Sequence, residues 1–373
     1  MACACSTVPQ ETSKGTYQCY SVLGNFLGPA RADRVFKGVV SVVRSTRGFE
    51  TRCVEVWQDW SEEPSLGKEG APTKGERKCM IVLVDFQFTP TPTPSDAEGG
   101  GEGEEEEDIF NYSAPPSLVY SGVAHSLPQE EIANSLFARG VISAERHGAV
   151  MQNLRRKDMR SRSIEVRYCP EGVMGQTAAI FPSFSAVASF PSNLATSPFP
   201  STSSTNSTAT AAVTRQQIHT TQSHLPLHAR TSGDWFRSRQ PLSTAMQQWC
   251  FLAFVLDGPT SWVPLLHDQR ATEEFAAVAS LEFALRLFVD AGSDASTRTS
   301  SGDSGGERKI EKPRLDMNNW HLREIKSTAA GSGRTFYEGK VWDGEGRMVA
   351  SFTQQDVARP ASRKQRKMVA GKL

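Results

Sequence analysis

The sequence lacks a net charge, because its 41 basic and 41 acidic residues cancel. Without an excess of positive charge, a chain has no global attraction to nucleic acids or acidic membranes, so we expect no nucleic-acid partner. Hydrophobic residues are also scarce, at 38% of the chain, whereas globular domains have roughly 45–50%. The 373 residues are enough for two domains, with part of the chain outside any packed core.

A long apolar run and a dense cysteine framework are missing too. The longest apolar run, residues 249–256, is far shorter than the roughly 20 residues that span a membrane. The N-terminus does not have the basic start and apolar stretch of a secretory signal. Of the seven cysteines, Cys53 and Cys79 lie in apolar strand-like runs, which indicates buried reduced thiols, and no second pair or nearby histidine completes a metal site with Cys3 and Cys5. We therefore expect an intracellular protein without a cofactor or a membrane span.

Three segments contain too little apolar surface to offset the entropy of ordering. Residues 89–108 lead from a Thr-Pro repeat into an acidic cluster, residues 183–221 are rich in Ser, Thr, Ala and Pro, and residues 291–308 are mostly Ser, Gly and Asp. We predict that all three are disordered loops or insertions. The basic tail, residues 361–373, ends in Gly-Lys-Leu, a degenerate form of a peroxisomal address, so both a peroxisomal and a cytoplasmic location are expected.

The first half shows strand signals and one short helix. Residues 35–58 are rich in Val, Phe and Thr around a Ser-Thr-Arg-Gly turn, which predicts a β-hairpin. Residues 78–88 are nearly continuously apolar and predict a strand covered on both faces. Residues 130–141 predict a short linker helix. Only the last three strands of a domain are thus visible in this half.

The second half predicts a strand, a buried helix and then four strands. The first strand covers residues 163–168, and the helix covers residues 243–256 with Ser243 as its N-cap and apolar side chains nearly all round. The four later strands are predicted at residues 277–288, 320–327, 333–342 and 347–356. A single helix wrapped by an antiparallel sheet is the hot-dog arrangement, so the predicted class is α+β.

Two ordered sets of motif residues accompany these elements. Those in the first half are Phe26, Leu27, Pro29, Ala30, Arg44, Arg47, Phe49, Thr51, Arg52, Val54, Gln58, Asp85, Phe86 and Gln87. Those in the second half are Ile164, Glu165, Arg167, Trp235, Arg237, Trp320, Gly333, Arg334, Phe336, Gly339, Asp343, Gly346, Val349, Ala350, Ser351 and Gln354. In this order the motifs resemble the acyl-CoA thioesterase II family of double hot-dog enzymes, over residues 20–88 and 163–360 outside the insertions.

The resemblance implies a tandem hot-dog fold, with an antiparallel sheet around a central helix in each domain. The implied domain map is a tail (1–19), a partial first hot-dog domain (20–88), an acidic loop and linker with a short helix (89–161), a second hot-dog domain (162–360) with insertions 183–221 and 291–308, and a basic tail (361–373). The opening strand and central helix of the first domain are expected to be missing. Either the sequence is truncated, or the helix at residues 130–141 partly takes their place.

The resemblance also implies a catalytic trio of Asp257, Ser280 and Gln354, with acyl-CoA as the substrate. Asp257 would accept a proton from the attacking water, while Ser280 and Gln354 would hold that water against the thioester carbon. Burial near apolar side chains should raise the pKa of Asp257. Taken alone, Asp257 before Gly-Pro is a helix-ending turn residue, Ser280 a core hydroxyl and Gln354 a solvent-facing strand residue.

Two alternatives remain at this stage. One is a non-catalytic double hot-dog remnant that binds acyl-CoA or a partner chain, and a homo-oligomer is also left open. The other is a hot-dog hydratase or dehydratase, which would need an Asp–His dyad near the helix. No histidine follows Asp257 before His267, which argues against the second alternative.

Overall fold

The computed structural model describes residues 1–8, 11–12, 14–31, 33–59, 75–90, 112–155, 159–177, 218–257, 259–269, 275–291 and 314–360. The predicted insertions and the C-terminal tail lie mostly outside these residues. Each of the three insertions was predicted to be slightly longer than it is. Residues 89–90 end a strand, residues 218–221 are part of the described structure with Ile218 buried, and residue 291 belongs to a short strand.

The described regular elements are thirteen β-strands and seven α-helices, besides short 3₁₀ helices. The strands are β1 (Glu11–Thr12), β2 (Gly15–Phe26), β3 (Phe36–Ser45), β4 (Phe49–Asp59), β5 (Glu76–Pro90), β6 (Ile164–Tyr168), β7 (Thr231–Ser238), β8 (Phe275–Leu287), β9 (Asp290–Ala291), β10 (Arg314–Leu315), β11 (His321–Gly331), β12 (Arg334–Trp342) and β13 (Met348–Pro360). The helices are α1 (Ala2–Cys5), α2 (Gln129–Ala138), α3 (Ala144–Arg155), α4 (Met159–Ser163), α5 (Val173–Thr177), α6 (Ala245–Leu256) and α7 (Val263–His267).

Eleven strands form one sheet in the order β3-β4-β5-β2-β8-β13-β12-β11-β7-β6, with β1 attached to β2. All pairs in this sheet are antiparallel, and β2 joins the two strand sets by pairing with both β5 and β8. Below, the first strand set means β1–β5, and the second strand set means β6, β7, β8 and β11–β13. The prediction of an α+β hot-dog fold is confirmed, whereas the division into two domains stays a prediction because the strands form a continuous sheet.

Helix α6 is the buried helix that the sequence predicts, but it begins one residue later. Its N-cap is Thr244 rather than Ser243, because the Thr244 side chain accepts the Gln247 N–H and the Gln247 side chain accepts the Thr244 N–H. This reciprocal capping box satisfies two N–H groups that the helix leaves without partners. Trp249 and Leu252 are completely buried, so the helix forms the centre of the main core.

The first strand set contains a strand that the sequence did not predict, β2, and has no long helix of its own among the described residues. Its core side chains instead join the core around α6, where the Phe86 and Trp249 rings meet edge to face at 6.4 Å. The four-residue α1 packs against β3, β4 and α6. The proposal that the helix at residues 130–141 takes the place of a central helix is wrong, since α2 packs in a separate cluster with α3 and Ile218.

Candidate active site

Ser280 and Gln354 meet on the neighbouring strands β8 and β13. The side-chain amide Nε2 of Gln354 donates a hydrogen bond to Ser280 Oγ at 2.5 Å. Gln354 is 2% exposed and Ser280 is half-buried, so the contact lies on the face of the sheet that packs against the core. The simple expectation of a solvent-facing strand glutamine does not hold for Gln354, because this face of β13 lies against the core.

An irregularity in the strand pairing brings the two side chains together. Gln355 pairs with Glu282, but the next residue, Asp356, pairs with Ser280. The register shift leaves Leu281 as an extra residue in β8. Such bulges bend a strand and redirect side chains, and they are frequent next to active sites.

A second carboxylate, which the sequence analysis missed, lies in the same place. Asp356 is completely buried, and its Oδ1 accepts a hydrogen bond from Gln354 Nε2 at 3.1 Å. Burial raises the pKa of Asp356, while hydrogen bonding from the side chains of Gln354, Ser261, Ser280 and Tyr337 works in the opposite direction. Gln354 thus has both Ser280 and Asp356 as acceptors for the two hydrogens of one amide nitrogen.

Asp257 is the C-cap of α6, where its own N–H bonds to the Ala253 carbonyl. Its side chain reaches solvent, yet the surrounding protein removes enough hydration to raise its pKa to about 6. The Arg160 guanidinium opposes this shift, and the Asp356 carboxylate adds to it. The predicted direction of the pKa shift is therefore confirmed, and Asp257 is also the helix-ending residue that its Gly-Pro neighbours indicate.

Two arginines fix the helix end that carries Asp257. Arg160 donates to the carbonyls of Phe254 and Val255 at 3.2 Å each, and Arg323 donates to the Val255 carbonyl at 3.1 Å. Arg323 is held by a buried ion pair with Asp234 at 2.9 Å. Cations at the C-terminus of a helix satisfy its last carbonyls and complement its dipole, so this end of α6 has a fixed position relative to β7 and β11.

Strand β12 completes the site from the other side of β13. Tyr337 pairs with Gln354 in the strand register and is completely buried. Gly339 pairs with Phe352, whose ring covers it so closely that a Cβ at Gly339 would stand 2.3 Å from ring atoms. Only glycine leaves room for this ring over the backbone of residue 339, which explains the glycine in the strand motif.

The sequence analysis named three of these side chains and missed Ser261, Tyr337, Asp356 and the two arginines. Asp356 had a usable signal, because residues two apart on a strand point to the same face, and Asp356 follows Gln354 by two. Ser261 lies in a short 3₁₀ helix, Pro259–Trp262, and no local pattern marks it. His267 lies elsewhere: it is buried, and its Nε2 is 2.8 Å from Ser232 Oγ.

The described residues contain no cluster of three or more His, Cys, Asp or Glu side chains arranged to bind a metal ion. Within the same ranges, none of the helices has the length and apolar character needed to cross a membrane. The side chains of the site are two carboxylates, an amide and several hydroxyls. Such a set can accept a proton from water and orient that water.

Comparison with protein families finds that residues 307–357 match the family described as the acyl-CoA thioesterase C-terminal domain. The matched segment includes β11, β12 and most of β13, and therefore Gln354 and Asp356. The resemblance to acyl-CoA thioesterases inferred from the motifs is thus confirmed for this part of the chain. No curated protein matches the chain.

Solved structures similar to the chain come from three bacteria, among others. An acyl-CoA thioesterase II, TesB2, from Mycobacterium marinum is 17% identical with a TM-score of 0.46, covering 93% of this chain and 82% of that one. A tesB protein of Mycobacterium avium subspecies paratuberculosis is 9% identical with a TM-score of 0.49, covering 96% and 83%. A conserved hot-dog protein of unknown function from Alicyclobacillus acidocaldarius is 12% identical with a TM-score of 0.47, covering 97% and 85%. At these identities and scores the likeness gives no information on substrate or mechanism.

Proposed function

We propose that this protein hydrolyses fatty acyl-CoA thioesters to the free fatty acid and CoA. Asp257 is the general base that takes a proton from the attacking water, and Ser280 and Gln354 orient that water against the thioester carbonyl. The observation that carries the proposal is the direct contact between Ser280 and Gln354 at 2.5 Å. Gln354 lies within residues 307–357, which match the thioesterase family model.

The ionisation of Asp257 supports its role as a base. A carboxylate with an ordinary pKa is a weak base, and general-base catalysis is most effective when the pKa lies near the working pH. Burial raises the pKa of Asp257 to about 6, so at neutral pH the group is mostly ionised yet more basic than a solvated aspartate. Since the side chain reaches solvent at the helix end, water has access to it.

The hydrogen-bond directions support the roles of Ser280 and Gln354. Ser280 Oγ accepts from Gln354 and its hydroxyl hydrogen is directed to Asp356, so a second lone pair of Oγ remains available to accept from a water molecule. A hydroxyl held in this way can orient a water molecule without reorganisation when the reaction begins. The mechanism requires no covalent intermediate on the protein.

The test compares Asp257→Asn with a matched carboxylate-to-amide change, Glu338→Gln. Glu338 lies on β12 in a half-exposed ion pair with Lys326. Because it follows Tyr337 directly in the strand, its side chain points to the opposite face of the sheet. Release of CoA from medium- and long-chain acyl-CoA, followed with a thiol reagent, should fall by about 10²–10⁴-fold in Asp257→Asn. Glu338→Gln should keep wild-type turnover, and wild-type kcat/KM should decline as the pH drops below about 6, where Asp257 becomes protonated.

The contrary results are equally specific. A folded wild-type protein that releases no CoA from any chain length would leave the non-catalytic acyl-CoA-binding protein as the better assignment. Equal turnover in the wild type and in Asp257→Asn would instead keep the reaction and place the base elsewhere.

A further inference from the structure

Asp356 is one of four buried carboxylates among the described residues, and these four differ in what balances their charge. Asp234 and Glu50 each have a buried arginine partner, at 2.9 Å and 2.6 Å, and Glu324 accepts hydrogen bonds from Ser117 and Tyr120. No ion pair involving Asp356 occurs in the part of the chain that the structure describes. A buried carboxylate is costly unless it is paired, so its retention beside Gln354 calls for a specific role.

The two oxygens of this carboxylate have different environments. Oδ1 accepts the Gln354 amide at 3.1 Å, whereas Oδ2 is buried and has no hydrogen-bond partner of good geometry among the residues that the structure describes. The hydroxyls of Ser261, Ser280 and Tyr337 nevertheless lie close enough to stabilise the charge. The carboxylate therefore lies at the point where β8, β12, β13 and the 3₁₀ helix meet.

We propose that Asp356 is a positioning residue of the thioesterase site, which orients the Gln354 amide toward Ser280 and forms a coupled carboxylate pair with Asp257. This inference rests on the proposed function and adds a residue that neither the motifs nor the trio contain. An amide could present either its oxygen or its nitrogen to Ser280, since the two ends have the same shape. An ionised carboxylate can only accept hydrogen bonds, so Asp356 must face the NH₂ end of the Gln354 amide. The same nitrogen is then directed toward Ser280.

The 3₁₀ helix that follows Asp257 places the two carboxylates in one site. It contains Ser261, whose Oγ lies 3.4 Å from Ser280 Oγ, next to Asp356. Two nearby carboxylates disfavour each other's ionisation, so each raises the pKa of the other. The groups that face Asp257 are Arg160 from α4, which lowers its pKa, and Asp356 from β13, which raises it. The side chains that act on Asp356 are the hydroxyl of Tyr337 on β12, which is titratable, and the neutral side chains of Gln354, Ser261 and Ser280. The charge of Asp356 in turn acts on Asp257 at the end of α6.

Two variants of Asp356 separate positioning from charge. Asp356→Asn keeps an oxygen that accepts from Gln354 but removes the charge. In this variant kcat/KM should still fall in acid, but at a lower pH than in the wild type. Asp356→Ala removes both, and a loss of about 10²-fold in kcat is expected when a catalytic group is misplaced by an ångström. Glu338→Gln, the surface control, should change neither the pH dependence of kcat/KM nor the value of kcat.

Carboxyl titration by NMR of ¹³C-labelled aspartate tests the pair without turnover. The pKa of Asp257 should be lower in Asp356→Asn than in the wild type. Coupling between two sites is reciprocal, so the pKa of Asp356 should be lower in Asp257→Asn, which alters only an exposed helix end. The titration of Asp356 in Asp257→Asn tests the carboxylate pair even when Asp356→Asn does not fold.

The outcomes distinguish this inference from the proposed function. A wild type that hydrolyses acyl-CoA, with both Asp356 variants matching it in pH profile and kcat, would overturn the positioning role and leave the function standing. A wild type without turnover rejects the proposed function, and the titrations then decide the pair. The carboxylate pair is overturned if the pKa of Asp257 is unchanged in Asp356→Asn and the pKa of Asp356 is unchanged in Asp257→Asn. Lowered pKa values in these variants support the pair.

Discussion

The two strand sets of the sheet use similar phrases in different environments. In the first strand set, Gln87 follows Asp85 and Phe86 on β5 and is exposed, paired in register with Gln18 and Phe49. In the second strand set, Gln354 ends a similar phrase on β13, is buried and contacts Ser280. The difference arises from the alternation of side chains along a strand. Gln87 follows the buried Phe86 by one residue and points away from the core, whereas Gln354 follows the buried Phe352 by two residues and points toward it.

The same contrast appears at the edges of the core. Strand β3 is exposed along nearly its whole length, and Val35, Phe36, Val42 and Val43 are all open to solvent. Strands β11 and β12 of the second set are largely buried. Each set nevertheless contains one buried arginine that ties a strand to a helical segment: Arg52 bonds to Thr7 after α1, and Arg323 bonds to α6.

Separating the two strand sets should have the largest effect. Val54, Val82 and Phe86 belong to the core around α6, and each buried apolar side chain contributes roughly 1.5–3 kcal/mol, against a typical domain stability of about 5–15 kcal/mol. A fragment of residues 1–90 should therefore show no cooperative thermal transition by circular dichroism. A fragment of residues 112–360, which keeps α6, should retain helical and strand signals. Cooperative unfolding of the smaller fragment would break the comparison.

Removing a large side chain should distinguish the central helix from the exposed edge. Trp249→Ala creates a cavity where α6 meets Phe86, and we expect a loss of about 3–5 kcal/mol in the free energy of unfolding. Val42→Ala on β3, where the side chain is 63% exposed, should change it by less than about 0.5 kcal/mol. Urea denaturation measures both, and similar losses would show that β3 is covered in solution.

Charge removal gives a third comparison between the sets. Asp234→Asn leaves Arg323 buried without its carboxylate, which we expect to cost about 3–5 kcal/mol and to loosen the end of α6. Glu76→Gln in the first set removes an exposed partner of Lys37, a change worth about 0–1 kcal/mol. Unfolding in urea at low and high salt would separate them, since only the exposed pair should respond to salt.

The most specific comparison concerns the two glutamines, and it is measured on turnover rather than on stability. Gln354→Ala should lower kcat for acyl-CoA hydrolysis by about 10²-fold, because Ser280 loses the donor that fixes it, while the unfolding transition stays cooperative. Gln87→Ala should leave kcat unchanged, since its side chain is exposed. Equal effects of the two substitutions would mean that the environment of the glutamine does not matter.

Much of the architecture was predictable because its signals are local. The hairpin of β3 and β4, strands β5, β6, β8 and β11–β13, and the helices α2 and α6 follow from apolar periodicity and turn residues. The start of α6 was also within reach. Thr244 has Gln247 at the third helical position, which is the capping-box spacing, whereas Ser243 has a methionine there.

Strand β2 was missed because its identity depends on neighbours distant in sequence. Residues 15–26 contain two glycines and several polar side chains, so their own propensity for a strand is weak. The strand is stabilised between β5 and β8, where Phe283 lies against Gly24. No window of sequence contains those partners.

The sequence by itself determined the strand and helix types, the resemblance to acyl-CoA thioesterases and the predicted trio, because hydrophobic period, caps and motifs act over a few residues. The tertiary structure decided that α6 is shared by both strand sets and that a bulge at Leu281 sets Ser280 beside Gln354 and Asp356. It also decided that the pKa of Asp257 lies near 6. Burial and cross-strand register have no local signature, because they depend on which surfaces meet after the chain has folded.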